Sequence, residues 1–343
     1  MVDQRKKAPI LVEIGILYDD IGRFAEAETA YKDALEIYEE LAIKEPNVYL
    51  PNVALTQDNL GILYADSGQY VKAETAYKKA LTIRKELAAK DPNTHLPDVA
   101  ITLNNLGFLY SDLGSIVEAE FNYIDALTIR KNLASKDPET YLSDVADTQN
   151  NLGVLYWNKN RLTKAEQPFL EALQIYRELA EKNPDTYLFY VARTQNNLGI
   201  LYDDLEKKEE GEGALSEALK IYKKLAEGNP EAYLSDIAAT KNNLGAVYDD
   251  LERFTEAETA YQEALEIYEN LAEWDPDAYV LDIAMVWYNK ACLESLRDNI
   301  DKSIEFLKTA IELDITCIDD AKTDKSFDNI RDSKVFKELI GEQ

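Results

Sequence analysis

The sequence predicts an all-α solenoid on three observations: a strict 46-residue period, two amphipathic helical patterns in every period, and a proline at every junction. The glycine of a recurrent motif, LGFLY at 106–110 in one copy, falls at Gly15, Gly61, Gly107, Gly153, Gly199 and Gly245, and one further step lands on Ala291. Fixed-period self-similarity of this length is the signature of stacked helical units. The periodicity gives seven repeats, about 1–48, 49–94, 95–140, 141–186, 187–232, 233–278 and 279–316, followed by a capping segment at 317–343.

Within a repeat, Leu60, Leu63 and Tyr64 recur at i, i+3, i+4 and form the apolar stripe of a first helix. Ala73, Tyr77, Ala80, Leu81 and Leu87 form the stripe of a second. The turn between them is written DIGRF (20–24) or DSGQY (66–70), where glycine supplies the left-handed residue that closes a helix. Pro46, Pro92, Pro138, Pro184, Pro230 and Pro276 then stop the second helix, because proline lacks the amide that a continuing helix needs. The expected unit is helix, tight turn, longer helix and loop, with KDPNTHLPDV (90–99) as one such loop. One hairpin buries only part of its apolar surface, so neighbours must stack. A mid-helix glycine costs about 1 kcal/mol against alanine; close approach of a packed helix at Gly61 and its equivalents accounts for its retention.

The spacing Leu60, Gly61, Tyr64, Gly68, Ala73, Tyr77, Ala80 resembles the tetratricopeptide repeat signature, and NNLG, AETAY and ALTIR resemble the long repeats of the kinesin light chain subclass. The resemblance spans roughly 8 to 313. It implies a right-handed superhelix of antiparallel helix pairs whose first helices line a concave groove. No heptad coiled coil precedes the repeats, so a motor-associated role does not carry over. Residues 314–343 break the period and resemble the terminal helices that seal such arrays, with Phe327, Ile330, Val335, Phe336, Leu339 and Ile340 set among charges. The first repeat lacks the Tyr-Leu-Pro-Asp type of lead-in, which leaves a fragment and a natural start both open.

Composition narrows the function. With 65 acidic residues against 37 basic the net charge is −28, which opposes a phosphate backbone, so no nucleic acid ligand is expected. Hydrophobic residues at 46% favour folding. Cys292 and Cys317 have no spacing of a disulfide framework or zinc site, and no apolar run reaches signal-peptide or membrane-span length. A cytoplasmic protein without membrane contact is expected.

Leu55, Asn59, Ile62 and Asp66 share one face of the first helix, turned away from Leu60 and Tyr64, and in the family that face lines the groove. The second asparagine of the motif recurs as Asn59, Asn105, Asn151, Asn197, Asn243 and Asn289, the first as Asn104, Asn150, Asn196 and Asn242. A side-chain amide both donates and accepts, so a row of them suits the main chain of an extended peptide; the same amides could instead bond to adjacent repeats. Both readings stand at this stage, with the first asparagines also expected to face the groove. Asp66, Asp112, Asp204 and Asp250, together with Asp58, Asp203 and Asp249, give that face a negative sign against Arg193 alone. The positions matching a carboxylate clamp hold Leu55, Ile101, Asp147, Ala239 and Met285, so a free carboxyl terminus or an acidic cargo is not the expected ligand.

Enzymatic readings find little support. His95 stands where other repeats carry Tyr49, Tyr141, Tyr187, Tyr233 and Tyr279, and no nucleophile accompanies it. The Asp pairs lack the glycine-centred loop of an EF-hand, and no glycine-rich phosphate cradle is present. Gly211 replaces an alanine and softens the second helix of the fifth repeat. The expected function is a non-catalytic scaffold, without cofactor or metal, that binds a neutral or basic peptide. The alternative is a structural repeat protein that self-assembles through its terminal or convex surfaces.

Overall fold

The computed structural model describes residues 4–341 and places no strand among them. Helices pair in chain order: α1 (Gln4–Asp20) with α2 (Phe24–Lys44), α3 (Pro46–Asp66) with α4 (Tyr70–Lys90), α5 (Pro92–Asp112) with α6 (Ile116–Ala134), and α7 (Pro138–Asn158) with α8 (Leu162–Lys182). The series continues with α9 (Pro184–Asp204) and α10 (Lys208–Ala226), α11 (Pro230–Asp250) and α12 (Phe254–Ala272), then α13 (Pro276–Leu296) and α14 (Ile300–Leu313). Two compact bodies are formed, Met1–Ile175 and Tyr176–Gln343. Within each body a helix packs on the next in sequence, and the first helices of adjacent repeats also touch, which is the packing of an α-solenoid.

The expected inter-repeat loop is absent. The segment 92–99 is the start of α5, and one residue separates α2 from α3, α4 from α5 and α8 from α9, against three residues at the other three junctions. Each junction proline occupies the first helical position, where a missing N–H costs nothing because the first-turn amides have no intrahelical partner. Asp91, Asp137 and Asp275 cap those amides, accepting from the N–H of Thr94, Thr140 and Ala278. Hairpins therefore begin at 46, 92 and 138, three residues ahead of the boundaries read from the period.

The turn inside the hairpin is left-handed at Gly22, Gly68 and Gly114, with φ near 71°, and from the fourth repeat onward Asn160, Glu206, Glu252 and Asp298 hold the same conformation. The motif glycines have a sharper role than helix proximity. A Cβ on Gly61 would lie 2.5 Å from the Tyr77 ring, on Gly107 2.6 Å from Tyr123, and on Gly153 2.7 Å from Phe169, each an aromatic residue of the second helix in the same repeat. Those rings are buried to 3% exposure or less and form the centre of each hairpin. Gly211 lies where its Cβ would approach the Gly199 carbonyl at 3.1 Å, so the backbones of α9 and α10 pack closely there.

At the C-terminal end, α15 (Cys317–Thr323), a 3-10 turn at Lys325–Phe327 and α16 (Lys334–Leu339) fold over α13 and α14. Phe327, Ile330, Phe336 and Ile340 are buried with Tyr288, Cys292 and Cys317, while Val335 faces outward. The Arg331 guanidinium ties the segment by donating to the carbonyls of Ala321, Lys322 and Asp324.

Candidate functional site

A helix advances about 100° per residue, so the two asparagines of each motif point in different directions. Asn150 and Asn242 are buried, and Asn104 and Asn196 are half-buried. Three first asparagines accept from the following repeat: Asn151 Nδ2 donates to Asn104 Oδ1 at 3.3 Å, Asn243 Nδ2 to Asn196 Oδ1 at 3.3 Å, and Asn289 Nδ2 to Asn242 Oδ1 at 3.0 Å. These amides thus pair first to second across adjacent first helices. Opposite Asn105 the ladder changes, since Asp58 stands where an asparagine would be.

Asp58 is 3% exposed and pairs with the Arg84 guanidinium, which is 4% exposed. Arg84 also donates to Thr102 Oγ1 at 2.7 Å and to the Asp98 carbonyl at 2.9 Å, and Thr102 donates to Asp58 at 3.1 Å. Burial pushes the Asp58 carboxyl up to about 6, against the pull of Arg84 and Thr102. Arg130 repeats the arrangement one repeat on, donating to Thr148 Oγ1 at 2.6 Å and to the Asp144 carbonyl at 2.9 Å. Periodicity alone does not mark this pair as a site, although the sequence carries its signal: Arg84 and Arg130 occupy a register that is Tyr38, Tyr176, Tyr222 and Tyr268 in other repeats.

Two further acids of the first helices are engaged by the chain's own side chains. Asp249 is 6% exposed and accepts from the Tyr261 hydroxyl at 2.8 Å. Asp203 is bound by Lys208 at 3.0 Å. Asp66, Asp112, Asp204 and Asp250 do reach the surface, the last paired with Lys208. In the N-terminal body Asp66 and Asp112 share their helices with an exposed apolar row: Leu55 at 46%, Ile62 at 40%, Ile101 at 42% and Phe108 at 56%. Asn59, Asn105 and Asn151 are half-buried.

Burial raises the Asp249 carboxyl to about 7. A raised folded-state value means that the native chain holds a proton the unfolded chain releases, so stability increases as pH falls through 7 toward the unfolded value near 3.9. Unfolding free energy should therefore rise by about 1 kcal/mol between pH 8 and pH 6 on account of this group. Urea titrations at the two values check it: the Asp249→Asn variant, which keeps an acceptor for Tyr261, should show a flatter pH profile than the parent chain.

Repeated helix hairpins with an amide ladder between their first helices and an exposed apolar row beside it define a helical-repeat interaction scaffold. The family described as Tetratricopeptide repeat matches residues 98–178, 144–224 and 236–316 in one of its forms and 10–42 and 53–92 in another. The chain belongs to the tetratricopeptide repeat family. Among solved structures it is similar to BtubC (BKLC) from P. vanneervenii, at 23% identity and TM-score 0.55 over 71% of this chain and 89% of that one. The apo form of RapI matches at 16% identity and TM-score 0.63, over 91% of this chain and 99% of that chain. Aspartyl phosphate phosphatase F from Bacillus subtilis matches at 13% identity and TM-score 0.58, over 99% and 84%. At these identities the likeness is one of fold. No curated protein matches. Among the described residues, no helix is long and apolar enough to cross a membrane, and no group of three or more His, Cys, Asp or Glu side chains could hold a metal ion.

Proposed function

We propose that the chain is a non-catalytic scaffold that binds an extended, neutral or basic protein segment along its first helices. The observation that carries this reading is the exposed row Leu55, Ile62, Ile101 and Phe108, set beside the carboxylates Asp66 and Asp112. Apolar side chains exposed side by side on consecutive repeats offer a hydrophobic contact line, and the acids select against an acidic ligand. The ladder amides serve the site by holding its helices in register, which leaves Asn59 and Asn105 as the amides suited to touch a ligand backbone. The reading implies no nucleic acid, no membrane, and a cytoplasmic setting.

A peptide array against the full chain tests it. Neutral and basic sequences should bind tightest, and Phe108→Glu with Ile62→Glu should weaken them at least tenfold while the melting temperature stays within a few degrees. Tightest binding of acidic sequences would defeat the reading.

One observation favours self-assembly as a second reading. On α1 the stripe Ile10, Ile14 and Leu17 is 54%, 36% and 65% exposed, whereas the same positions one repeat later, Thr56, Leu60 and Leu63, are 0%, 3% and 1% exposed. Light scattering across concentration decides between the two, since a strict monomer removes the second.

A further inference from the structure

We infer that the junction between α12 and α13 is a second docking site, separate from the first-helix face, for an arginine or lysine side chain presented by a partner segment. A cavity of about 520 Å³ opens there, lined by Glu231, Leu234, Asn270, Leu271, Trp274, Asp275 and Tyr279. Trp274 is 90% exposed, the most exposed large apolar side chain among the described residues. An indole left in water beside Tyr279 and two leucines offers an aromatic wall, the type of residue that anchors interfaces.

The repeat register shows what is missing at this place. The position of Trp274 is Lys44, Lys90, Lys136 and Lys182 in the first four repeats and Gly228 in the fifth. In α2, α4 and α8 that lysine lies in the last turn, where a cation interacts favourably with the carbonyl end of the helix. The last turn of α12 carries no basic residue. Around it stand Glu231, Glu273, Asp275 and Asp277, so the junction keeps the acids and the helix end but not the cation. A guanidinium or ammonium from a partner, seated on the indole face with its head toward Glu231, supplies that charge, and a cation over an aromatic face is itself attractive. Asp275 is committed in part to capping α13, which leaves Glu231 as the principal carboxylate partner.

The occupant's chemistry follows from charge: the walls are aromatic and aliphatic, every charged group on the rim is acidic, and the chain as a whole carries −28. An acidic or purely aliphatic segment would leave the rim carboxylates unpaired.

Calorimetric titration of the full chain with the pentapeptide Gly-Arg-Gly-Arg-Gly, against Gly-Glu-Gly-Glu-Gly, tests the site. The arginine peptide should bind saturably and the glutamate peptide should not. Trp274→Ala should weaken the arginine peptide roughly tenfold. Trp274→Lys, which restores the residue of the earlier junctions, should abolish its binding by filling the site with the chain's own cation. Because Trp274 is exposed, both variants should keep the parent melting temperature. Equal binding by parent, Trp274→Ala and Trp274→Lys would overturn the proposal, as would equal binding of the two peptides or no saturable binding by the parent. Phe108→Glu with Ile62→Glu should leave this titration unchanged, so failure of the first-helix reading and failure of this one are told apart.

Discussion

Replacing Asp58 by alanine is expected to lower the unfolding free energy by about 3–5 kcal/mol, because it leaves a guanidinium buried without its counter-charge. Arg84 is 4% exposed and keeps only the Thr102 hydroxyl and the Asp98 carbonyl as partners in that variant, neither of which neutralises it. The double variant Asp58→Asn with Arg84→Tyr, which transplants the pair found as Asn196 and Tyr222 in the fifth repeat, should recover most of the loss. Breaking a buried pair strands a charge, whereas replacing both members removes the desolvation cost along with the attraction. Urea denaturation at about pH 7.5, above the raised Asp58 value, decides it: a single-variant cost under about 1 kcal/mol would mean that water reaches the pair.

Alanine at Gly153 is expected to destabilise by about 1–3 kcal/mol, although alanine is the better helix former. The new methyl would lie 2.7 Å from the Phe169 ring, which is completely buried. Gly213 provides the internal control: it lies in α10, and a methyl added there would meet nothing within 4 Å. Gly213→Ala should therefore stabilise by about 0.5–1 kcal/mol. Opposite signs for one substitution in two helices, read from urea denaturation of the two variants, separate packing from propensity. A stabilising effect at both positions would show that the ring moves aside cheaply.

The amide ladder shows where reading a repeat stops. The period placed every asparagine in register, yet register alone left both the ligand and its neighbour as partners. Asn151 bonded to Asn104 and Asn243 bonded to Asn196 become visible only when adjacent first helices are docked, since the partners are 47 residues apart in sequence. The sign of the first-helix face needed the same information. Asp58 and Asp249 read as surface charges one by one, but packing buries both, and the exposed sign falls to Asp66, Asp112 and their equivalents. The expected loop at 90–99 failed for a local reason: proline both ends one helix and opens another, and sequence periodicity does not distinguish the two uses.

The sequence by itself determined the all-α class, the 46-residue hairpin, the stacking core and the family, because apolar spacing and punctuation are properties of a single segment repeated. Only the tertiary structure decided which polar groups are buried, which amides bond across repeats, and where an aromatic side chain is left in solvent. Those outcomes depend on pairs of residues brought together by packing, and burial of a charge or an indole is set by what the neighbouring hairpin covers, not by the residue's own repeat.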